Sequence, residues 1–285
     1  MLDDSFAVKI ATSSITTLEK RVSAAIAEPV AHAHQSLQAS SAVHCDETSW
    51  AQRGLSHWLW IIAHQSLCVF TIAEHRTSEV AKTLLQGFQG ILHSDRYGGY
   101  EWYPRDQRQI CWAHLQRDVE GFASYGIAEA ALGKSLLFAI GHLFQYWNQK
   151  KTNQISQLKF LSLMKPLQTR ILNLLCKGGA FPRGKISRQC KRIFRMRAAL
   201  FAFVDTPGVS PTNNHAEQLL RHSVIWRKTS FGTHSDGGSR FAERILSVVA
   251  SLKLQRRNIF NWVSQTYAAF LDGIQLPSLL LVQPP

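Results

Sequence analysis

Residues 42–73 read AVHCDETSWAQRGLSHWLWIIAHQSLCVFTIA. Three runs within this stretch are short and rich in β-branched and aromatic residues: 42–50, 57–63 and 67–73. Small polar turns separate them at residues 52–54 and 64–66. Runs of that length and composition predict three consecutive antiparallel strands, a β-meander.

The chain after the meander alternates between helical and extended patterns. Residues 78–88 have helical periodicity, and residues 91–94 form a short apolar run. A further strand is predicted at 109–112, running into a helix that ends near residue 122. We expect the order strand-strand-strand-helix-strand-helix-strand-helix. That order predicts an α/β fold in which a mixed sheet is flanked by helices.

Helical patterns dominate the rest of the chain. Residues 7–40 predict an N-terminal helix, and residues 127–203 predict a helical subdomain inserted into the core. Helices are also predicted at 213–225, 239–257 and 259–271. We therefore divide the chain into five parts: an N-terminal helical segment (1–41), the first part of the core (42–126), a helical insertion (127–205), the C-terminal helices of the core (206–272) and a loose tail (273–285).

Composition excludes several classes of protein. The chain has 285 residues, of which 45% are hydrophobic and 18% charged, so it can bury a sizeable core. Five cysteines without a pattern argue against a disulfide scaffold. The start MLDDSF lacks the features of a secretory signal, and polar residues interrupt the apolar stretches around 58–73. We expect a cytoplasmic protein that does not enter a membrane.

Positive charge is concentrated in the last third of the chain. The formal net charge is +13, and residues 176–285 hold 16 basic and 5 acidic side chains. Residues 177–197 contain eight basic residues and no acid, and residues 221–257 contain eight basic residues and two acids. Such an asymmetry favours a phosphate-binding face, although a basic face does not specify which nucleic acid it binds.

Three acidic residues stand at positions suited to catalysis. Asp46 lies inside a strand-like run, where Asp is rare, and Asp95 follows the strand at 91–94, at the end where α/β proteins place ligands. Glu217 lies in the first turn of a helix. Each also has an ordinary interpretation: an edge position or strand-end turn for Asp46, a turn residue for Asp95, and a capping box with Asn214 for Glu217.

Considered together, the three acids predict a metal site. If the first meander strand pairs with the strand that ends at Asp95, Asp46 and Asp95 face each other, and a packed helix can bring Glu217 beside them. Three converging carboxylates repel one another unless cations neutralise them. Mg²⁺ prefers oxygen ligands, and two such ions can hold the attacking and leaving oxygens of a phosphoryl displacement.

Five motifs carry a resemblance to a known family. In chain order they are HCDETSW (44–50), GILHSDRYGGY (90–100), ICWAHLQRD (110–118), NNHAEQLLRHSVIWRKTSFGTHSDGGSRFAERILSVV (213–249) and QRRNIFNWV (255–263). Over residues 8–265 the chain resembles the catalytic region of insertion sequence 66 family transposases. These are DDE transposases, and the resemblance implies an RNase H-like core.

The resemblance also implies a chemistry. Asp46, Asp95 and Glu217 become the first, second and third catalytic carboxylates, which bind Mg²⁺ or Mn²⁺, two ions per site. Water attacks at the transposon end, and the freed 3′-hydroxyl then attacks target DNA, so no Ser or Tyr nucleophile is needed. The gap of 122 positions between Asp95 and Glu217 fits a helical insertion.

Partners follow from the same resemblance. They are DNA, as transposon ends and target, further copies of the chain on paired ends, and helper proteins encoded by the element. Family members usually carry a Cys-rich zinc-binding region before the core. This chain begins just before the core without such a cluster, so we expect it to lack that region.

Further residues are predicted to hold DNA or support the site. The predicted DNA contacts are Arg221, Arg227, Lys228, Arg240 and Arg244, and simple solvation is the alternative for Arg221, Arg240 and Arg244. Trp226 and Phe231 are predicted to be core residues of a β-hairpin. The predicted supporting residues are Cys111, His114, Asn213 and Asn214. Cys111 and His114 form only half of a zinc-binding spacing, so we expect a structural or DNA-positioning role for His114.

Two alternative functions remain open at this stage. One is an RNase H-fold nuclease without joining activity, since hydrolysis and strand transfer use one site. The other is a DNA-binding remnant of a truncated transposase without catalysis.

Overall fold

The computed structural model describes residues 11–182 and 184–281. The start of the predicted N-terminal helix at residues 7–10, Arg183 of the basic stretch and the last four residues of the predicted tail lie outside the described residues.

Within the described residues, five strands form a mixed sheet in the order β3-β2-β1-β4-β5, with helices around it. The strands are β1 (Ala42–Gln52), β2 (Leu55–His64), β3 (Leu67–Ala73), β4 (Ile91–Ser94) and β5 (Arg108–Ile110). The helices are α1 (Thr12–Ala25), α2 (Ala27–Gln38), α3 (Ser78–Leu84), α4 (Trp112–Glu120), α5 (Ile127–Lys151), α6 (Gln157–Gly179), α7 (Lys185–Arg195), α8 (Ala202–Asp205), α9 (Asn214–Ser230), α10 (Asp236–Leu254) and α11 (Ile259–Asp272). The α/β class is confirmed, and the architecture is consistent with an RNase H-like fold.

The chain forms two compact units, which are described in turn. Of the described residues, the first unit contains 11–90 and 214–281, and the second contains 91–182 and 184–213. The predicted meander is confirmed in the first unit, where β1 pairs with β2 and β2 with β3, both antiparallel. Arg53 and Gly54 connect β1 to β2 with φ angles of 53° and 75°. Two consecutive positive φ angles match the right-handed twist of strands joined by a two-residue turn. Gly54 adopts its positive φ angle without steric cost.

One face of the meander carries the core of the first unit. The buried cluster joins residues of the three strands with residues of the two long C-terminal helices: Trp50, Leu59, Ile61, Ala63, Cys68, Phe70, Ala216, Leu220 and Ala242. The β1–β2 register places Asp46 opposite Ile61, so Asp46 belongs to this same face. The face that carries Asp46 is therefore the one on which α9 and α10 pack.

Helix α10 closes the outer edge of the sheet. Strand β3 is an edge strand, and alternate backbone N–H groups along it have no strand partner. Three α10 side chains spaced four residues apart accept these bonds: Glu243 from Ile72 N at 2.7 Å, Ser247 from Phe70 N at 2.9 Å and Ser251 from Cys68 N at 3.0 Å. The side chains of α10 thus accept the hydrogen bonds that the N–H groups of β3 would otherwise donate to another strand.

The substitution Ser251→Ala is expected to lower the free energy of unfolding by about 1–3 kcal/mol, because it leaves two buried backbone groups unpaired. The Ser251 hydroxyl accepts from Cys68 N and donates to Cys68 O at 3.1 Å, and Ser251 is fully buried. Urea unfolding measures the change. Ser264→Ala on the exposed side of α11 is the matched control, with a change within about 0.5 kcal/mol. Equal effects of the two substitutions would contradict the edge-closing role of Ser251.

The second unit contains a short parallel strand pair and a set of helices. Strands β4 and β5 are parallel, and the segment between them holds two short 3₁₀ turns, at Gly98–Tyr100 and Arg105–Gln107. The prediction of a helix between these strands is therefore wrong. Gly98, Gly99 and Pro104 interrupt helical backbone in so short a segment. Strand β5 also ends at Ile110, and Trp112 already begins α4.

Helices α5, α6 and α7 confirm the helical character predicted for residues 127–203. Helices α5 and α6 meet α8 at an aromatic group in which Phe160 and Phe203 are fully buried and Trp147 lies edge-on to both rings. Among the described residues, α5 is the helix that is long and apolar enough to cross a bilayer. It packs against α4 and α6, and core helices of globular proteins have the same length and composition.

The segment that follows Ile225 differs from the predicted hairpin. Helix α9 continues to Ser230, and Phe231, which was predicted to be core, is 77% exposed. The chain then turns through Gly232, where a Cβ atom would lie 2.0 Å from the Ala51 oxygen. Thr233 N donates to Ala51 O at 2.9 Å, which fastens the end of α9 to the end of β1.

Candidate active site

Strand β1 presents Asp46 in the middle of its length. Asp46 is half-buried, and its Oδ1 accepts from Glu47 N at 2.9 Å. The antiparallel pairing with β2 holds the backbone on both sides of this residue. Asp46 therefore stands on rigid backbone, as a site that must hold precise geometry requires.

Helix α9 brings Glu217 to the face that carries Asp46. Ala216 and Leu220 are buried in the cluster described above, so the helix rests on the sheet through its first turns. Glu217 follows Ala216, is half-buried and lines an open cleft together with Asp46. The cleft has a volume of about 470 Å³, and Thr48 and Arg221 also line it. The first unit thus joins two of the three predicted carboxylates with one predicted DNA-binding arginine.

Burial favours the neutral forms of Cys45 and His215, which lie close to Asp46 and Glu217 in the sequence. Burial, with the nearby charges of Glu47 and Asp46, raises the pKa of the Cys45 thiol well above its ordinary value. Burial, with the neighbouring His64, lowers the pKa of His215, whose ring lies 5.3 Å edge-on from that of His44. A neutral His215 imidazole provides no positive charge to offset the carboxylates. Arg221 is the cationic side chain among the residues that line the cleft.

Asp95 lies in the second unit, directly after β4. Its Oδ1 accepts from Tyr97 N at 2.8 Å, which shapes the turn that leaves the strand. Arg108 of β5 donates to Ser94 Oγ at 2.9 Å and to Asp95 O at 3.3 Å. Burial lowers the pKa of Arg108 to about 10, while the charge of Asp95 acts in the opposite direction. The buried guanidinium of Arg108 thus holds the end of β4 in position. The sequence analysis does not predict this role.

Cys111 and Asn213 fasten the segment that leads into α9. Cys111 precedes α4, and its Sγ accepts from Asn213 N at 3.2 Å. Trp112 N donates to Pro211 O at 2.9 Å. Asn213 is 1% exposed, and the next residue, Asn214, is the first residue of α9. Of the predicted supporting residues, Cys111 and Asn213 have this structural role, and His114 is a half-buried residue of α4.

Three of the predicted DNA-binding arginines have partners within the first unit. Arg227 donates to Ser49 Oγ at 2.5 Å, and Trp226 packs edge-on against Trp50. Arg240 pairs with Glu243 at 3.0 Å, and Arg244 donates to Ser23 O at 2.9 Å. Lys228 and Arg221 are exposed.

A comparison with known protein families matches residues 1–241 to the transposase IS66 family. The chain belongs to that family. A relative is the uncharacterized protein y4qI of Sinorhizobium fredii (strain NBRC 101917 / NGR234), 22% identical over 239 residues. The match covers 76% of this chain and 44% of y4qI, so the chain spans less than half the length of that relative. No solved structure matches the chain.

Membership in the IS66 family suggests a transposase that acts on DNA. Within this family member, the first unit brings together Asp46, Glu217 and Arg221, and the second unit carries Asp95 at a strand end. The sequence analysis does not predict the role of Arg108, although its position at the start of the short buried strand β5 is a usable signal, because a charge in a core strand needs a partner.

Proposed function

We propose that this chain is the catalytic region of a DDE transposase, with Asp46, Asp95 and Glu217 as its carboxylates. The observation that supports the proposal most directly is the shared cleft of Asp46 and Glu217, which lie on a strand and a helix 171 positions apart. Two carboxylates from distant parts of the chain repel each other in one cleft, and this arrangement suits a site that binds cations.

The donor set fits Mg²⁺ or Mn²⁺. Asp46 and Glu217 offer carboxylate oxygens in an open, water-accessible cleft, and hard divalent ions prefer oxygen ligands and retain waters. The residues that line the cleft offer carboxylate oxygens and include no cysteine, whereas soft metals prefer thiolate ligands. When bound, divalent ions stabilise the developing charge of a phosphoryl transfer and activate water.

The residues of the chain have separate roles in this reaction. Asp46 and Glu217 hold oxygen ligands on rigid elements, and Asp95 provides the third carboxylate. Arg221 lies one turn after Glu217 and lines the cleft, where its guanidinium can position the phosphate of the strand to be cut. Water bonds to phosphorus while the bond to the 3′ oxygen breaks, which leaves a 3′-hydroxyl and a 5′-phosphate. The oxygen of this 3′-hydroxyl then bonds to a phosphorus of target DNA and gives up its proton, while that phosphorus loses its bond to the target's 3′ oxygen, which takes up a proton and leaves as a new 3′-hydroxyl.

We expect the protein to nick supercoiled plasmid in the presence of Mg²⁺ or Mn²⁺ and to lose this activity in EDTA, because the carboxylates need bound ions to act. Gel separation of nicked from supercoiled DNA measures the activity. Nicking that persists at full rate in EDTA would contradict a carboxylate–metal site.

A second assay separates the alternatives. With pre-cleaved transposon ends and a target plasmid, a transposase produces joined products, whereas an RNase H-fold nuclease only degrades. DNA binding without cleavage under any divalent ion would favour the non-catalytic remnant. The proposal includes transposon ends and target DNA as substrates, a multimer of this chain on paired ends, possible element-encoded helper proteins and a cytoplasmic location.

A further inference from the structure

Helix α7 presents a basic face over an apolar one. Ile186, Cys190 and Ile193 are buried, while the charged residues of its sequence KISRQCKRIFR point away from that side. Lys185, Arg188, Lys191, Arg192 and Arg195 are all exposed. The burial pattern fixes the orientation of the helix, so the position of each charge around its axis is determined.

Three of these residues line one groove with Arg96, a residue from the turn after β4. The groove has a volume of about 360 Å³ and is lined by Arg96, Lys185, Arg188, Gln189 and Arg192. We call this set the α7 groove. No acidic side chain is among its lining residues, so four cationic groups and one amide surround a single concave space.

Two contacts hold the walls of the α7 groove in place. Arg96 forms an ion pair with Asp118 of α4, and the Arg96 side chain is 19% exposed. Lys185 lies with its Nζ 5.7 Å from the centre of the Tyr125 ring. A second cleft, of about 370 Å³, shares Lys185 and Gln189 and is also lined by Arg117, Asp118 and Tyr125. Because this second cleft contains an acid, the α7 groove is the more uniformly basic of the two.

The dimensions suit a phosphate backbone. Lys185 and Arg192 are seven residues apart on a helix, which corresponds to about 10 Å along its axis. One strand of duplex DNA advances about 3.4 Å per phosphate along the duplex axis, so two or three phosphates fit alongside these residues. Arginine forks bind phosphate oxygens in a bidentate manner, and Gln189 adds a neutral donor.

We propose that the α7 groove is a binding site for the phosphate backbone of DNA, carried by the helical part of the second unit. The proposal takes DNA as the polyanion from the proposed function, and otherwise rests on the groove itself. It assigns DNA binding to residues outside the basic C-terminal helices. The site holds DNA without reading its sequence, since phosphate contacts carry no base information.

The test compares two double variants of α7 that each remove two positive charges. Arg188→Ala/Arg192→Ala alters the groove, and Lys191→Ala/Arg195→Ala removes exposed charges of the same helix that do not line it. Fluorescence anisotropy with a labelled 30-bp duplex is measured in EDTA at several salt concentrations. We expect the groove variant to bind at least about tenfold more weakly at 0.1 M salt, with a log–log salt slope smaller by about 1.8.

The control variant is expected to change affinity less than about threefold, because two solvated charges contribute only through the general field. Equal weakening by both variants, or unchanged binding by the groove variant, would overturn the proposal. Circular dichroism and urea unfolding establish that each variant is folded, and Arg188→Lys/Arg192→Lys should recover most of the affinity. Because binding is measured without metal, absence of nicking refutes the catalytic proposal and leaves the groove result standing.

Discussion

Asp46→Asn is expected to lower the rate of metal-dependent plasmid nicking by about 10³-fold while the protein stays folded and binds DNA. Replacing one carboxylate oxygen by an amide weakens the binding of divalent ions, which supply several kcal/mol of transition-state stabilisation. A loss of about 4 kcal/mol corresponds to about 10³ in rate. Asp95→Asn and Glu217→Gln are expected to have effects of the same order.

The double variant Asp46→Asn/Glu217→Gln gives a sharper test than either single one. Residues that act as one unit are strongly non-additive, so the double variant should be about as slow as each single variant rather than 10⁶-fold slower. The matched control is Asp272→Asn at the exposed end of α11, which makes the same chemical change outside the cleft and should leave the rate unchanged. Full activity of Asp46→Asn would refute the assigned role of this carboxylate.

Arg76→Met is expected to lower the free energy of unfolding by about 3–5 kcal/mol, the largest effect on stability that we predict. Arg76 Nε donates to Glu47 Oε1 at 2.7 Å, and the Glu47 side chain is only 1% exposed. The Arg76 guanidinium also lies 5.0 Å from the centre of the Trp58 ring. Its removal leaves a carboxylate buried in β1 without this partner, and such a charge is costly to bury. Urea or guanidinium unfolding measures the loss.

Arg53→Met provides the comparison for an exposed pair. Arg53 lies 3.5 Å from Asp236, with side-chain exposures of 59% and 80%. Water screens both charges, so the expected loss is below about 1 kcal/mol. Similar losses in the two variants would show that burial of Glu47 does not control the energy of its pair. Because Glu47 adjoins Asp46 on β1, Arg76→Met should also reduce nicking at temperatures close to its lowered melting point.

The prediction of the meander succeeded because its signals are local. Alternation of β-branched and aromatic residues, together with a Gly-containing turn at residues 52–54, reports on a few neighbouring residues at a time. The prediction of a hairpin after Ile225 failed for the opposite reason. Trp226 contacts Trp50 and Arg227 contacts Ser49, so the conformation of this segment is stabilised by residues nearly 180 positions away.

The charged residues show the same contrast between local sequence signals and contacts that depend on distant residues. The excess of basic residues in 177–197 was visible in the sequence, but which of them line a common groove was not, because Arg96 joins them from a distant turn. Arg227 was predicted to bind DNA, and its hydrogen bond to Ser49 could not be inferred from the composition around it. An amino-acid pattern reports how much charge a surface carries, whereas the partner of each charge depends on packing.

The sequence by itself determined the strand meander, the helical character of the region before Glu217, the acidic residues with catalytic potential and the asymmetry of charge. Each of these depends on residue type and short-range spacing, which the chain carries before it folds. Only the tertiary structure decided that Asp46 and Glu217 share a cleft, that α10 closes the edge of β3 and that Glu47 is buried with Arg76. These contacts join residues far apart in the chain, and they arise when the apolar faces of α9 and α10 are buried against the sheet.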